Sequence, residues 1–197
     1  MSVQHRPDTQ QKPRRTLGQE ALSLLATLLF AAVLIVLLQA FVFQLVRVDG
    51  SSMSNTLQSG EMMLVTKWDR DFQRGDIVVC HYPDRTEGQV NLGAGLALTR
   101  HTVFVKRLVA LPGDTVEIRS GHLYVNGEAV PDPKEQGSEP MSFEKITLGE
   151  DEYFVMGDNR FSSHDSRAAD VGPLPRPMLQ GRVQCVLWPV SCGRKVK

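Results

Sequence analysis

The feature that most constrains this chain is a segment without any charged residue, which runs from position 21 to position 46. Its 26 residues contain neither Gly nor Pro, so nothing in it breaks a helix. At about 1.5 Å per helical residue it would reach roughly 39 Å, which exceeds the ~30 Å hydrocarbon core of a bilayer. A buried core helix seldom lacks charge on every face, and the apolar region of a cleaved secretory signal is shorter. The segment therefore predicts an uncleaved transmembrane helix over 21–46.

The charges that flank this segment predict its orientation. Residues 1–20 contain four basic and two acidic side chains, a net charge of +2 (4 − 2), whereas only Arg47 and Asp49 follow the segment closely. Because basic flanks remain in the cytoplasm, residues 1–20 are predicted to be cytoplasmic. The predicted organisation is a cytoplasmic segment (1–20), one transmembrane helix (21–46), an extracytoplasmic β domain (47–190) and a C-terminal tail (191–197), located in the plasma membrane.

Composition excludes several other classes. The chain has 22 basic and 22 acidic residues, and this formal net charge of 0 argues against a nucleic-acid binder. The five histidines lack the spacing of metal ligands, so neither a metal nor a cofactor is predicted. Cys185 and Cys192 lie seven positions apart, which leaves either a disulfide or free thiols open.

Short β-branched and aromatic runs, punctuated by Gly and Pro, recur throughout the body of the chain. The Gly-rich segment 88–98 is interpreted as a loop, either a flap or a plain β-connection, and residues 131–140 as a surface loop. The pattern predicts a mostly β protein, with one open or barrel-like domain behind one N-terminal transmembrane helix. The predicted strands are 62–66, 76–82, 102–110, 115–119, 122–125, 152–156 and 182–188.

Three polar segments are candidates for chemistry. Residues 49–57 (DGSSMSNTL) place hydroxyls, including Ser52, directly after the membrane segment, where a nucleophile would act close to the bilayer. Lys106 shares one face of its predicted strand with Phe104 and Leu108, and an apolar face disfavours the ammonium form of a lysine. A neutral amine can act as a general base, although an edge-strand lysine that reaches water is the alternative. Residues 155–167 form a third, densely polar loop.

These segments resemble, in order and spacing, the motifs of bacterial type I signal peptidases. Residues 50–57 resemble the nucleophile motif of that family, and residues 106–114 (KRLVALPGD) resemble its base motif. Residues 75–78 (GDIV) resemble a strand motif, and residues 157–167 resemble the final motif. The resemblance implies a membrane-anchored serine endopeptidase with the β fold of that family, which removes signal peptides after small residues at −3 and −1 through an acyl-enzyme.

The resemblance also implies roles for individual residues. Ser52 is expected to be the nucleophile, Lys106 the general base and Ser163 the residue that orients the Lys106 amine. The Ser52 backbone N–H is expected to donate to the oxyanion, and Met53 to lie at the substrate pocket. The remaining motif residues are expected to support the site: Gly157 and Asn159 by shaping the loop, and Arg107, Asp158, Asp165 and Arg167 by forming ion pairs beneath it.

The motifs depart from the commonest family pattern in three places: Asn55 stands where a proline is usual, Phe161 and Ser162 stand where Asp-Asn is usual, and Gly50 is the third. Gly50 stands where some members of the family carry a serine, so a second, side-chain donor to the oxyanion is unassigned. The histidine nearest to these motifs, His164, is interpreted as a loop residue and not as the base of a Ser–His–Asp triad.

The implied partners are translocated preproteins that carry signal peptides, the lipid bilayer and, as a further candidate, the secretion translocon. Two alternative functions remain at this stage. One is an anchored, non-enzymatic β domain that binds envelope partners, and the other is a self-cleaving Ser–Lys peptidase. Substitution of Ser52 and Lys106 discriminates between the enzymatic and the non-enzymatic hypotheses.

Overall fold

A computed structural model describes residues 16–54, 56–68, 71–91, 97–131, 141–189 and 194–195. The chain divides into two compact units, residues 1–40 and residues 41–197. The helix α1 (Leu17–Phe41) belongs to the first unit except for its last residue. The portion Leu17–Leu38 includes an 18-residue window with a mean hydropathy of 2.9, and none of that window is buried within the protein. At about 1.5 Å per residue these 22 residues are long enough to cross a bilayer.

The helix ends earlier than the uncharged segment predicts. It stops at Phe41, and Phe43–Arg47 form an edge strand, β1, in the second unit. This strand pairs with its neighbour in antiparallel register, and Val46 is buried in the protein core. The prediction of a helix up to position 46 was therefore wrong, because an uncharged apolar sequence satisfies burial in protein as well as burial in lipid.

The second unit consists of two antiparallel sheets. The larger has the order β1-β2-β11-β3-β4-β9-β10, with β12 beside β11, and the smaller has the order β7-β6-β5-β8. The strands are β1 (Phe43–Arg47), β2 (Met62–Thr66), β3 (Ile77–Asn91), β4 (Ala97–Ala110), β5 (Thr115–Arg119), β6 (His122–Val125), β7 (Glu128–Ala129), β8 (Phe143–Thr147), β9 (Glu152–Met156), β10 (Leu174–Pro175), β11 (Leu179–Trp188) and β12 (Arg194–Lys195). The mostly β fold class is confirmed.

The alternation of side chains in β3 and β4 separates two hydrophobic clusters. Val79 belongs to the first cluster, together with Met53 and Leu57 from the segment after β1. Val78 and Leu108 belong to the second cluster, which also receives residues of β9 and β11. The third cluster combines residues of the smaller sheet with residues of β4 and β9. This arrangement places the candidate residues of β4 between two well-packed faces.

Four predicted strands match the observed bounds: β2, β5, β6 and β9. The prediction of a loop over 88–98 was wrong at both ends, because β3 and β4 extend into one long hairpin in which Val90 pairs with Leu98. Residues 92–96 and 132–140 lie outside the described part of the chain. The sequence did not predict the short strands β7, β10 and β12, whose two residues carry no periodicity.

Candidate active site

Ser52 lies on a tight turn that follows β1. The amide of Ser54 donates to Ser51 O at 3.0 Å, and the amides of Thr56 and Leu57 both donate to Met53 O. Met53 and Leu57 are buried in the first hydrophobic cluster and anchor the turn. Ser52 itself is only half-buried, so its hydroxyl is held in place while remaining accessible.

The backbone conformation explains why a glycine occupies position 50, at the start of this turn. Its φ is +90°, in the left-handed region where a side chain is strained. A serine at this position would have to adopt that strained conformation, so the turn seen here favours glycine over the serine of other family motifs.

Lys106 is positioned by the pairing of β3 with β4. It stands opposite Val78 and shares its face with Phe104 and Leu108, as the alternation of the strand predicted. Lys106 is only 3% exposed. The burial of the amine lowers the pKa of Lys106 below its ordinary value of 10.5. The edge-strand alternative, in which the amine reaches water, does not describe this residue.

The structure brings Lys106 and Ser52 together. Lys106 Nζ lies 2.7 Å from Ser52 Oγ, within hydrogen-bond distance. The partners of this pair come from different elements, since Ser52 lies on the turn after β1 and Lys106 lies in β4. A buried amine beside a hydroxyl is the arrangement that a Ser–Lys pair requires for proton transfer.

The charges around Lys106 offset one another. The Asp165 carboxylate raises the pKa of Lys106, whereas the Arg167 guanidinium lowers it. Cys80 lies in the second cluster near the same amine, and burial raises the pKa of its thiol to about 12, so the thiol is neutral at physiological pH. Burial therefore remains the dominant influence on the Lys106 amine.

Asp165 and Arg167 form a buried ion pair beneath the site. Arg167 Nε and Nη2 donate to the two carboxylate oxygens of Asp165, at 2.7 Å and 2.9 Å. The Gly157 amide donates to the same carboxylate at 2.9 Å. Burial by itself would raise the pKa of Asp165, but the hydrogen bonds and the charge of Arg167 lower it below its ordinary value. The carboxylate is therefore ionised and fixed in orientation.

Arg107 and Asp158 form a second bidentate pair. Arg107 Nε and Nη2 donate to the two oxygens of Asp158 at 2.8 Å and 2.7 Å, and Nη1 donates to Gly75 O at 2.6 Å. Asp158 also accepts a hydrogen bond from Thr56 on the turn of the candidate nucleophile. The pair thus connects β4, the loop after β9 and the turn that carries Ser52.

Gly157 and Asn159 bring the loop after β9 against the same turn. A Cβ on Gly157 would lie 2.6 Å from Ser52 O and closer still to the Ser163 side chain, so only glycine permits this approach. The Asn159 amide donates to Ser52 O at 3.0 Å. Its side chain Nδ2 donates to Ser51 O and to Ser54 Oγ, each at 3.1 Å.

Comparisons with known proteins identify the family of this chain. A family model described as "Signal peptidase, peptidase S26" matches residues 21–188. The chain belongs to this family. Signal peptidase I P of Bacillus subtilis subsp. natto is 34% identical over 183 residues, covering 86% of this chain and 90% of the relative. Signal peptidase I of Bacillus licheniformis is 36% identical over 181 residues, covering 85% of this chain and 89% of the relative.

A solved structure is also similar to this peptidase. The crystal structure of a signal peptidase I from Enterococcus faecalis matches with a TM-score of 0.43 and 27% identity, covering 57% of this chain and 97% of that chain. Within the described part of the peptidase, no group of three or more His, Cys, Asp or Glu side chains could hold a metal ion.

Ser163 makes no hydrogen bond to Lys106 among the described residues. The resemblance implied a hydrogen bond between Ser163 Oγ and the Lys106 amine, but Ser163 Oγ is buried and makes no hydrogen bond of acceptable geometry among the described residues. The hydroxyl is close enough to Asp165 to contribute to the lowering of its pKa. The Ser163 side chain packs closely against Gly157.

Met53 lines a small pocket beside the Ser52–Lys106 pair of this peptidase. The pocket has a volume of about 80 Å³, and Val103 and Val105 of β4 contribute to its wall. Met53 Sδ also accepts a hydrogen bond from the Asp158 amide at 3.4 Å, which fixes the position of the thioether. Met53 therefore lines a pocket beside the candidate nucleophile, and its role in binding substrate stays a prediction.

The sequence did not predict the contacts of Tyr82. Its ring stacks on Phe104 with a centroid distance of 4.1 Å, and its hydroxyl donates to His164 O at 2.8 Å. Tyr82 therefore connects the strand of Lys106 to the loop of Ser163. No sequence signal identified it, because a tyrosine in a predicted strand is ordinary and the register of β3 against β4 is not readable from local pattern.

The side chain of His164 pairs with Asp170 and not with Asp165, its neighbour in sequence. His164 Nε2 lies 2.9 Å from Asp170 Oδ2 at the surface. Asp165 instead pairs with Arg167.

Proposed function

We propose that this peptidase removes signal peptides from preproteins with Ser52 as the nucleophile and Lys106 as the general base. The observation that supports this most directly is the 2.7 Å separation of Lys106 Nζ and Ser52 Oγ at a buried amine. The neutral amine accepts the Ser52 proton as the hydroxyl oxygen attacks the scissile carbonyl. The same ammonium then protonates the leaving amine, and an acyl-enzyme on Ser52 remains.

The second half of the reaction uses the same two groups. A water molecule gives its proton to the Lys106 amine and attacks the acyl carbonyl, and Ser52 recovers its proton from the ammonium as the acyl group leaves. Both halves require Lys106 to be neutral at the start. The burial that lowers its pKa therefore serves the chemistry directly.

The Ser52 backbone N–H is proposed as a donor to the oxyanion. Among the described residues it donates to no other acceptor. A backbone donor held on an anchored turn needs no reorganisation when negative charge develops on the substrate oxygen.

Ser163 remains a proposed orienting residue for Lys106. Its hydroxyl is buried close to Asp165 and makes no hydrogen bond to the Lys106 amine in this structure. Hydrogen bonds at an active site are often long or poorly aligned without substrate and tighten in the complex. We propose that the contact with the amine forms when substrate is bound.

The pocket beside Ser52 supports a preference for small side chains at −1 and −3. The pocket of about 80 Å³ has an apolar wall of Met53, Val103 and Val105, while Arg47 and Asp49 also line it, and this small volume suits a small side chain. Within the described residues, β4 pairs with β9 only from Arg107 onward. The preceding part of β4 can therefore pair with an extended substrate segment along its open edge.

The N-terminal helix fits a membrane anchor, and we propose its orientation. The basic residues 1–20 lie in the cytoplasm, and the β domain lies outside the plasma membrane, where translocated preproteins emerge. The bilayer and the secretion translocon are the proposed neighbours. Protease treatment of intact spheroplasts tests this: the β domain is degraded if it is extracytoplasmic and protected if the orientation is reversed.

The decisive experiment is incubation of the full-length protein in detergent with a model preprotein, followed by mass spectrometry of the new N-terminus. Cleavage after small residues at −3 and −1 is expected for the wild type and for the exposed controls Ser142→Ala and Lys145→Met. Ser52→Ala and Lys106→Ala are expected to abolish it. Wild-type cleavage by either of these two variants contradicts the proposed mechanism.

A further inference from the structure

The peptide group that joins Ser51 to Ser52 is held by Asn159. Asn159 Nδ2 donates to Ser51 O at 3.1 Å, and the Asn159 amide donates to Ser52 O at 3.0 Å. One residue therefore fixes the carbonyls on both sides of the Ser52 α-carbon. This is a more specific contact than the general shaping of the loop that the motif implied.

We propose that Asn159 is a positioning residue that directs and polarises the Ser52 N–H as an oxyanion donor, an inference that rests on the proposed function. In a trans peptide the N–H points away from the carbonyl of the same peptide group. A hydrogen bond from Asn159 to Ser51 O therefore directs the Ser52 N–H away from Asn159. Among the described residues this N–H donates to no other group, so it is available to a substrate oxygen.

The same hydrogen bond strengthens the donor. A carbonyl that accepts a hydrogen bond polarises its peptide group, and the attached N–H becomes a better donor. The Asn159 side chain thus acts on the oxyanion through one peptide unit, without touching substrate.

The effect matters more here because Gly50 supplies no side-chain donor. Its φ of +90° disfavours the serine that could provide one. The Ser52 N–H consequently carries a larger share of oxyanion stabilisation, and its orientation has a correspondingly larger effect on the rate.

A competing explanation is that Asn159 merely tethers the turn. Asn159 Nδ2 also lies 3.1 Å from Ser54 Oγ, and the Ser51 and Ser162 hydroxyls lie 2.8 Å apart. These neighbours provide matched controls. Ser54→Ala removes the second acceptor of the Asn159 side chain and leaves the bond to Ser51 O, whereas Ser162→Ala removes a nearby hydroxyl contact.

The test uses the full-length protein in detergent with a model preprotein. Asn159→Ala and the closer-sized Asn159→Leu both remove the side-chain donor, and thermal unfolding verifies that each variant is folded. We expect kcat to fall by about tenfold to a hundredfold, which is less than the ~10²–10³ loss for removal of an oxyanion donor itself. KM and the pKa of the rising limb of the pH–rate profile are expected to stay unchanged. The kcat values of Ser54→Ala and Ser162→Ala are expected to remain within about twofold of the wild type. A tenfold change, by comparison, corresponds to ~1.4 kcal/mol.

A peptide aldehyde provides a readout that tethering alone does not move. It forms a hemiacetal oxyanion on Ser52, so its affinity is expected to fall in parallel with kcat/KM in the Asn159 variants. The affinity of the cleaved product peptide is expected to stay unchanged. The inference is overturned if both Asn159 variants keep the wild-type kcat, if Ser54→Ala loses as much activity as they do, or if aldehyde affinity is unchanged.

These outcomes are distinct from failure of the proposed function. If Ser52→Ala or Lys106→Ala still cleaves the preprotein, the Ser–Lys mechanism fails. If both abolish cleavage while the Asn159 variants retain the wild-type kcat, only the role of Asn159 fails.

Discussion

Lys106 Nζ lies 2.7 Å from Ser52 Oγ, although the two residues are 54 positions apart in sequence. The pairing of β3 with β4 buries the amine, and the docking of the turn after β1 brings the hydroxyl to it. The contact therefore depends on two separate parts of the fold, and each part can be perturbed independently.

Replacement of the amine separates catalysis from stability. Lys106→Met is expected to reduce preprotein cleavage by about 10³-fold or more, because the general base is lost. The free energy of unfolding is expected to stay constant or rise, since a buried amine gives way to an apolar side chain of similar length. Chemical denaturation and cleavage assays measure the two effects. Lys145→Met removes an exposed lysine from β8 and is expected to change neither.

The pH dependence follows from the buried amine. Because burial lowers the pKa of Lys106 and the neutral form is active, kcat/KM is expected to rise with pH below that pKa and then to level off. The midpoint of the rise is expected at a pH below the ordinary lysine pKa of 10.5. Single-turnover kinetics between pH 6 and pH 10 measure this profile. A flat profile with acylation rate-limiting excludes Lys106 as the base.

The buried pair of Asp165 and Arg167 predicts an acid-sensitive contribution to stability. Because the pKa of Asp165 is lower in the folded state, this contribution is complete above the unfolded pKa of about 3.9 and is lost as pH falls through the folded value. Asp165→Asn leaves Arg167 buried without its counter-charge and is expected to cost about 3–5 kcal/mol at pH 7. The difference between variant and wild type should shrink in acid.

A surface pair provides the control for this prediction. Arg119 and Glu117 lie 3.4 Å apart with side chains 55% and 29% exposed. Glu117→Gln is expected to change the free energy of unfolding by less than about 1 kcal/mol. Equal losses in Asp165→Asn and Glu117→Gln, measured by urea denaturation, are incompatible with a buried supporting role.

Gly157 tests the approach of the loop to the candidate nucleophile. Gly157→Ala places a methyl group against Ser52 O, so the turn must move. A displacement of about 1 Å at a reacting group costs about 10²-fold in rate, and we expect a loss of that order in kcat. In Gly149→Ala the new methyl group meets only the flexible Glu152 side chain at 3.3 Å. That variant is expected to cleave preprotein at the wild-type rate.

Tyr82 tests the link between β4 and the loop of Ser163. Tyr82→Phe keeps the ring stacked on Phe104 but removes the hydrogen bond to His164 O. A loss of about 1–2 kcal/mol in unfolding free energy is expected, together with a several-fold lower kcat. Tyr124→Phe removes a phenolic hydroxyl from the smaller sheet and provides the comparison for both thermal unfolding and cleavage. A variant Tyr82→Phe with unchanged stability rules out the link.

Local patterns predicted the strands that have clear alternation. The face shared by Phe104, Lys106 and Leu108 was predicted from period two alone, because side chains of a strand alternate whatever its neighbours are. The same reasoning could not predict the two-residue strands, in which pairing with a neighbour replaces any intrinsic pattern.

The end of the apolar segment shows what amino-acid composition cannot predict. The residues of β1 include no Asp or Glu, and the helix before them has only Glu20 in its first turn, yet Val46 is buried in protein and Leu45 is exposed. Hydropathy records only that a side chain avoids water. Whether lipid or protein covers it depends on the partners that the rest of the chain supplies.

The sequence by itself determined the apolar anchor segment, the predominance of β structure and the chemical types available in each motif. These properties depend on neighbouring residues, and local periodicity and hydrophobicity record them. Only the tertiary structure decided that Lys106 contacts Ser52, that Ser163 packs against Gly157, and that Asn159 holds the peptide before the candidate nucleophile. Such contacts depend on strand register and on how loops dock, and a small shift in either would separate the same residues.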